Sequence, residues 1–163
     1  MTETLGRKIK LGVKIVLTLA VLAGLHVWVI RPLLASDEEK VRTLVDEVIE
    51  NARKRHVGDI LKSVAGDYQD PLNATREELR EKLNYAAFVY PVWRVDVAEG
   101  PTVAVDPSGE RATALIRASV RWGRAGEEPT IDYVAQARRT DRYRATLAKR
   151  EGRWWIISCD GDE

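Results

Sequence analysis

This 163-residue chain has one cysteine and two histidines. His26 lies in an apolar stretch, His56 in a charged one, and Cys159 near the chain end. That distribution assembles neither a Cys–His nucleophile nor zinc-ligand spacing, so no metal or cofactor is expected. A lone cysteine also makes no internal disulfide. The chemistry that remains is ionic and aromatic. Arg111, Arg117 and Arg121 share one parity of an alternating run with Thr113, Leu115 and Ser119, opposite Ala112, Ala114, Ile116, Ala118, Val120 and Trp122. Arg142 and Arg144 alternate with Tyr143 and Ala145 in the same way. Two neighbouring strands of this kind present one cationic sheet surface, suited to an acidic protein partner or anionic lipid headgroups, with a solvated outer face as the plain alternative. Trp155 has the opposite parity to Trp154, which makes it a candidate aromatic contact for a partner.

Charge is nearly balanced over the whole chain, at a net of +1, but it is unevenly distributed. Residues 36–110 carry 10 Lys and Arg against 16 Asp and Glu, whereas residues 111–153 carry 11 against 5. An acidic helical half that neutralises a basic sheet half accounts for this. Interleaved basic and aromatic motifs for stacking bases are missing, which argues against nucleic acid as a partner.

The elements that would position these residues begin at Ser36-Asp37-Glu38-Glu39, a capping-box pattern. Val41, Leu44, Val45, Val48, Ile49 and Ala52 follow as a single apolar stripe of helical period. The cluster Arg53-Lys54-Arg55 suits the negative end of that helix. A second helix is expected near Gly58 to Ala65, and a third from Thr75, which caps it, to about Val89, with Leu79, Leu83, Ala86 and Ala87 inward. After Pro91 the period changes from 3.6 to 2. Strands are expected over 92–98 with a continuation at 102–106, then over 111–122, 141–149 and 153–160, with Glu151-Gly152 as a tight turn. A strand running from Thr130 through Lys149 requires a bend near 138–141.

Residues 11–30, LGVKIVLTLAVLAGLHVWVI, are long enough at about 1.5 Å per residue to cross a hydrocarbon core of about 30 Å. Cleavage after Leu33-Leu34-Ala35 would put leucine where a small residue is needed, so an uncleaved anchor is favoured over a removed signal. Lys14 can snorkel to the interface and Trp28 can anchor at the opposite headgroup level. Ala20 and Gly24 form a small-xxx-small pair for close helix approach, and His26 is a polar residue at membrane depth. Arg7, Lys8, Lys10 and Lys14 precede the span and only Arg31 follows it, which keeps the N-terminus in the cytoplasm. The expected organisation is a tail at 1–10, an anchor at 11–30, a linker at 31–35, and a domain at 36–163 in the periplasm or outside the cell, tethered to a bacterial inner membrane.

Three helices followed by a meandering sheet give an α+β architecture. The order of elements, the loop Asp67-Tyr68-Gln69-Asp70-Pro71 before the Thr75 cap, and the closing hairpin from Lys149 to Ile157 resemble the nuclear-transport-factor-like superfamily, also called the SnoaL-like or cystatin-like cone. The resemblance covers about Ser36 to Asp160. It implies three helices packed on a curved, mostly antiparallel sheet whose concave side holds a pocket. The family includes ketosteroid isomerases, polyketide cyclases and dehydratases beside many members without catalysis. It also has membrane-tethered members, among them type IV secretion subunits and Mce-associated proteins. An isomerase-like site would need a carboxylate base and an oxyanion donor, for which Asp96, with Tyr68 or Tyr85, are the candidates. Their spacing does not force them together, and Asp96 alternates with Val95 and Val97 as an outward strand residue does. The expected function is therefore a non-catalytic, single-pass interaction or assembly module of a membrane complex or homo-oligomer. A tethered binder of small apolar ligands, or an isomerase- or cyclase-like enzyme, is the alternative.

Overall fold

The computed structural model describes residues 35–126, 128 and 141–161. The expected anchor at 11–30, with Lys14, Ala20, Gly24, His26 and Trp28, lies outside the described residues, as does the expected bend at 138–140. Among the described residues no helix is long and apolar enough to cross a membrane.

Helix α1 (Asp37–Arg53) opens with Asp37, Glu38 and Glu39 at its positive end and closes with Arg53 at its negative end. Its apolar stripe buries Val41 and Val45, with Leu44, Val48 and Ile49 packed around them. Arg55 ends the helical path with φ of 58°, a left-handed conformation more usual for glycine or asparagine. Helix α2 (Val57–Leu61) is shorter than the sequence predicts. It stops because the next residues join the sheet: Ser63 O accepts from Ile156 N at 2.9 Å and Ala65 N donates to Ile156 O at 2.9 Å, around a parallel bridge from Val64 to Ile156. Helix α3 (Arg76–Val89) starts with the expected reciprocal box between Thr75 and Glu78. It buries Ala86 fully, holds Leu79, Leu83 and Ala87 half-buried, and leaves Tyr85 and Phe88 exposed.

Among the described residues four strands, β1 (Val92–Val105), β2 (Arg111–Gly123), β3 (Arg142–Arg150) and β4 (Arg153–Gly161), form an antiparallel sheet in that order. The two short runs expected at 92–98 and 102–106 are one strand. Register breaks between Val97 and Glu99 and between Glu99 and Thr102 carry it past the irregular stretch. Such bulges bend a strand and increase its twist, and they curl this sheet over α1. The last turn is a two-residue hairpin in which Glu151 and Gly152 both have positive φ, at 52° and 78°. That pattern matches the twist of the flanking strands.

The core sits between α1 and the inner face of the sheet. Val41, Val45, Tyr68, Leu147, Trp154 and Ile156 meet over a floor of small side chains, Ala112, Ala114 and Ala145. An ionic clasp closes one end. Lys149 Nζ donates to Asp37 Oδ1 and Oδ2 at 2.9 and 2.8 Å, and Trp154 Nε1 lies 3.4 Å from Asp37 Oδ1, which ties the start of α1 to the last hairpin.

Two outcomes follow from this packing. Leu147 has no exposed surface, so Leu147→Ala should cost about 2–5 kcal/mol by removing buried contacts and leaving a cavity, read as a lowered urea midpoint of the full chain in mild detergent. The Lys149 hydrogen bond holds the Asp37 carboxyl below the ordinary aspartate range, against the opposing effect of burial. A depressed folded value means that the stabilisation is complete above the unfolded value of about 3.9 and fades as pH falls through the lowered one. The gap in urea midpoint between wild type and Asp37→Asn should therefore be widest near neutrality and close below about pH 4. A gap independent of pH would show that the clasp acts through shape alone.

Candidate functional site

Strand parity divides the sheet as the alternation predicts. The helix-facing side carries Val95, Ala112, Ala114, Ala118, Ala145 and Leu147, all buried. The outer side carries Arg94, Asp96 and Glu99 from β1, Arg111, Arg117 and Arg121 from β2, and Arg142 and Arg144 from β3. Register sets Arg117 opposite Arg142 and Leu115 opposite Arg144, so arginines of neighbouring strands do share one surface.

Acids share it too. Arg121 donates to Asp96, which also receives Arg94 Nε at 3.2 Å. Arg117 Nε is 2.6 Å from Asp141 Oδ2, and its Nη1 is 3.7 Å from Glu99. The surface is thus a ladder of ion pairs set in an excess of arginine, with six arginines against Asp96, Glu99 and Asp141. Asp141 enters it because it sits one residue before β3, within reach of Arg117. The pairing holds the Asp141 carboxyl below its ordinary range through the Arg117 hydrogen bond, and it raises the Arg117 guanidinium through Asp141. Beside this ladder, the irregular part of β1 leaves a shallow depression of about 200 Å³ lined by Glu99, Gly100, Thr102, Leu115, Arg117 and Arg142. Trp155 lies on the side opposite buried Trp154 and is itself half-buried, with the Arg153 guanidinium 4.3 Å from its ring centroid.

The three catalytic candidates do not meet. Asp96 is on the outer face, Tyr68 is 5% exposed within the core, and Tyr85 is 68% exposed on α3. The Arg121 hydrogen bond keeps the Asp96 carboxyl below its ordinary range, and a carboxylate so stabilised is a poor proton acceptor near neutral pH. The acids of the loop before α3 have structural roles: Asp67 is gripped by Arg150 through two 2.7 Å contacts, and Asp70 Oδ1 accepts from Leu72 N and Ala74 N at 2.9 and 2.8 Å. Cys159 packs on the core, and His56 Nδ1 lies 3.6 Å from Asp59 at the surface. Among the described residues no three His, Cys, Asp or Glu side chains are grouped to hold a metal ion.

Two features are invisible to periodicity. Trp93 and Trp122, opposite each other on β1 and β2, stack with ring centroids 5.6 Å apart, and Tyr90 adds a tilted contact to Trp122 at the same distance. Arg53 Nε donates to Val95 O at 3.2 Å and Arg55 donates to Pro91 O, so the basic cluster after α1 also binds the backbone of β1 and just before it. A dipole argument alone gives no hint of this contact.

No family model and no curated protein matches the sequence. Solved structures do. A nuclear-transport-factor-like protein of unknown function from Pseudomonas putida KT2440 superposes with a TM-score of 0.54 at 17% identity, covering 75% of this chain and 82% of that one. A candidate scytalone dehydratase from Novosphingobium aromaticivorans gives 0.55 at 11% identity, over 74% and 78%. Bd1075 from Bdellovibrio bacteriovorus gives 0.55 at 8% identity over 74% of this chain, which spans only 38% of that protein. Identities this low speak to architecture and not to activity. With an α+β layout and a curled four-stranded antiparallel sheet, the domain has the nuclear-transport-factor-like cone fold.

Proposed function

We propose that this chain is a single-pass, membrane-anchored extracytoplasmic interaction or assembly module whose cone serves as a scaffold and not as a reaction vessel. The observation that carries the non-catalytic part is the packing, among the described residues, between α1 and the inner face of the sheet. Val41, Val45, Tyr68, Leu147, Trp154 and Ile156 occupy the inner side of the sheet and are all buried. The strand carboxylate with the most plausible catalytic position, Asp96, faces away from that centre and is held anionic by Arg121. A proton-transfer site needs its base and its oxyanion donor within hydrogen-bond reach of one reacting atom. Here the candidate groups lie on different surfaces.

The anchored part is supported by sequence. Residues 11–30 have the length and apolarity of a span, and four basic residues precede them against one directly after. A domain held at a bilayer, with ionic and aromatic groups on its outside and side chains packed through its middle, is suited to holding partners.

Membrane flotation followed by alkaline carbonate extraction of the full chain tests this. The chain should float with vesicles and stay in the pellet, and protease added outside intact spheroplasts should digest the domain. Recovery of mature protein that starts near Ser36 and is free of membranes, or protection of the domain inside sealed cells, would overturn the anchored reading. Affinity isolation in mild detergent should retain companion chains, and charge reversal of Arg117, Arg121 and Arg144 on the outer face should weaken that retention in a salt-sensitive way.

A further inference from the structure

Among the described residues β1 is an edge strand, 14 residues long, paired on one side by β2. Which of its backbone groups face outward follows from three contacts. Ala118 N donates to Asp141 O on the far side of β2, so the pair Val97–Ala118 is not bonded through Ala118 N, and the N–H and C=O of Val97 point away from β2. Val95 O faces the same way, because it accepts from Arg53, and Pro91 O shares that parity and accepts from Arg55. The outward groups between 91 and 97 thus belong to the odd-numbered residues.

We propose that this edge is a strand-addition site for a second copy of the chain, held shut by Arg53 and Arg55. An unpaired edge recruits another strand through its outward N–H and C=O groups, and folded proteins block such edges with charged side chains, prolines and bulges. The far half of β1 is blocked by its two register breaks and by Pro101. The near half is regular, and there Arg53 occupies the Val95 carbonyl that an added strand would need, while Arg55 holds the Pro91 carbonyl just before the strand. Arg55 is committed to this role at some conformational cost, since its φ of 58° is a region where a glycine would be easier.

The partner is a second copy because the segment is complementary to itself. Antiparallel pairing about a two-fold axis at Val95 matches outward-bonding residues with outward-bonding residues. It sets Arg94 opposite Asp96 of the second copy on the outer face, twice by symmetry, and Trp93 opposite Val97 of the second copy on the inner face. Nothing in this arrangement uses residues 11–30, so it stands or falls apart from the anchored reading.

The test uses the full chain in mild detergent with both guanidinium groups removed, Arg53→Met and Arg55→Met, which keeps the side-chain stems. Sedimentation should show self-association beginning at a concentration at least tenfold lower than for wild type. Hydrogen exchange should show the amides of Trp93, Val95 and Val97 becoming protected as concentration rises, while those of Arg94 and Asp96, facing β2, stay protected throughout. Adding Val97→Pro, which removes an outward N–H and spares the ladder to β2, should abolish the gain. Association equal to wild type in a folded double variant would overturn the proposal, and so would a gain that survives Val97→Pro. Should the double variant unfold, Arg53→Met alone decides the matter, because it frees the Val95 carbonyl at the two-fold axis and should shift association in the same direction by a smaller factor.

Discussion

The close approach of α1 to the sheet is the constraint from which the rest of the structure follows. A helix can settle closely against a sheet where the strand residues beneath it are small. Here the sheet gives way, with Ala112, Ala114 and Ala145 under Val41 and Val45. Large side chains are placed around this floor, with Leu147, Trp154 and Ile156 on one flank and Tyr68 arriving from the loop before α3. Dense packing of this kind fixes a single arrangement, since shifting the helix by a fraction of its diameter would open voids that nothing fills. Among the described residues it fills the space between α1 and the inner face of the sheet with side chains.

Local chemistry is arranged so that charges seldom act alone. Lys149 and Asp37 hold the helix start to the last hairpin, Arg150 and Asp67 hold the loop before α3 to the same hairpin, and Arg121 and Asp96 tie β2 to β1 across the outer face. Most of these groups are well exposed, so each pair adds modestly to stability and its main effect is on register and placement. An outer face built from such pairs presents a pattern of signs to whatever meets it, and a pattern discriminates among partners better than a uniform field does.

Much of this was legible in the residues, wherever a signal is local. Thr75 and Glu78 announce their helix three residues apart, the parity of β2 from Arg111 to Trp122 assigns its two faces, and Glu151-Gly152 marks its hairpin. The cone itself was legible from the order of elements, and the solved structures agree with it. What stayed hidden depends on distant residues. The second helix looks able to continue to Ala65 until Ile156, ninety-odd positions later, takes the backbone on either side of Val64 into the sheet. The parity of the outer-face arginines does not show that Asp141 and Glu99 are folded beside Arg117. Arg53 reads as a helix-end cation, and its reach to Val95 is set by how α1 lies against β1. Periodicity reports which side of an element a residue occupies, but not which stranger it will meet.

The irregular middle of β1 shows how the curvature is encoded. Between Val97 and Thr102 the strand spends two more residues than β2 does opposite it, since Val97 pairs with Ala118 and Thr102 with Leu115. Excising those two surplus positions would leave Val103 facing Ala114 and Val95 facing Val120 as before, so the composition of the core would be untouched while the ribbon straightened. Concavity in this domain is therefore written in chain length, and the identity of the side chains that line it is written elsewhere. Single-residue gaps and insertions at this one place would change the depth of the bowl while the cross-strand partners on either side stay paired as they are.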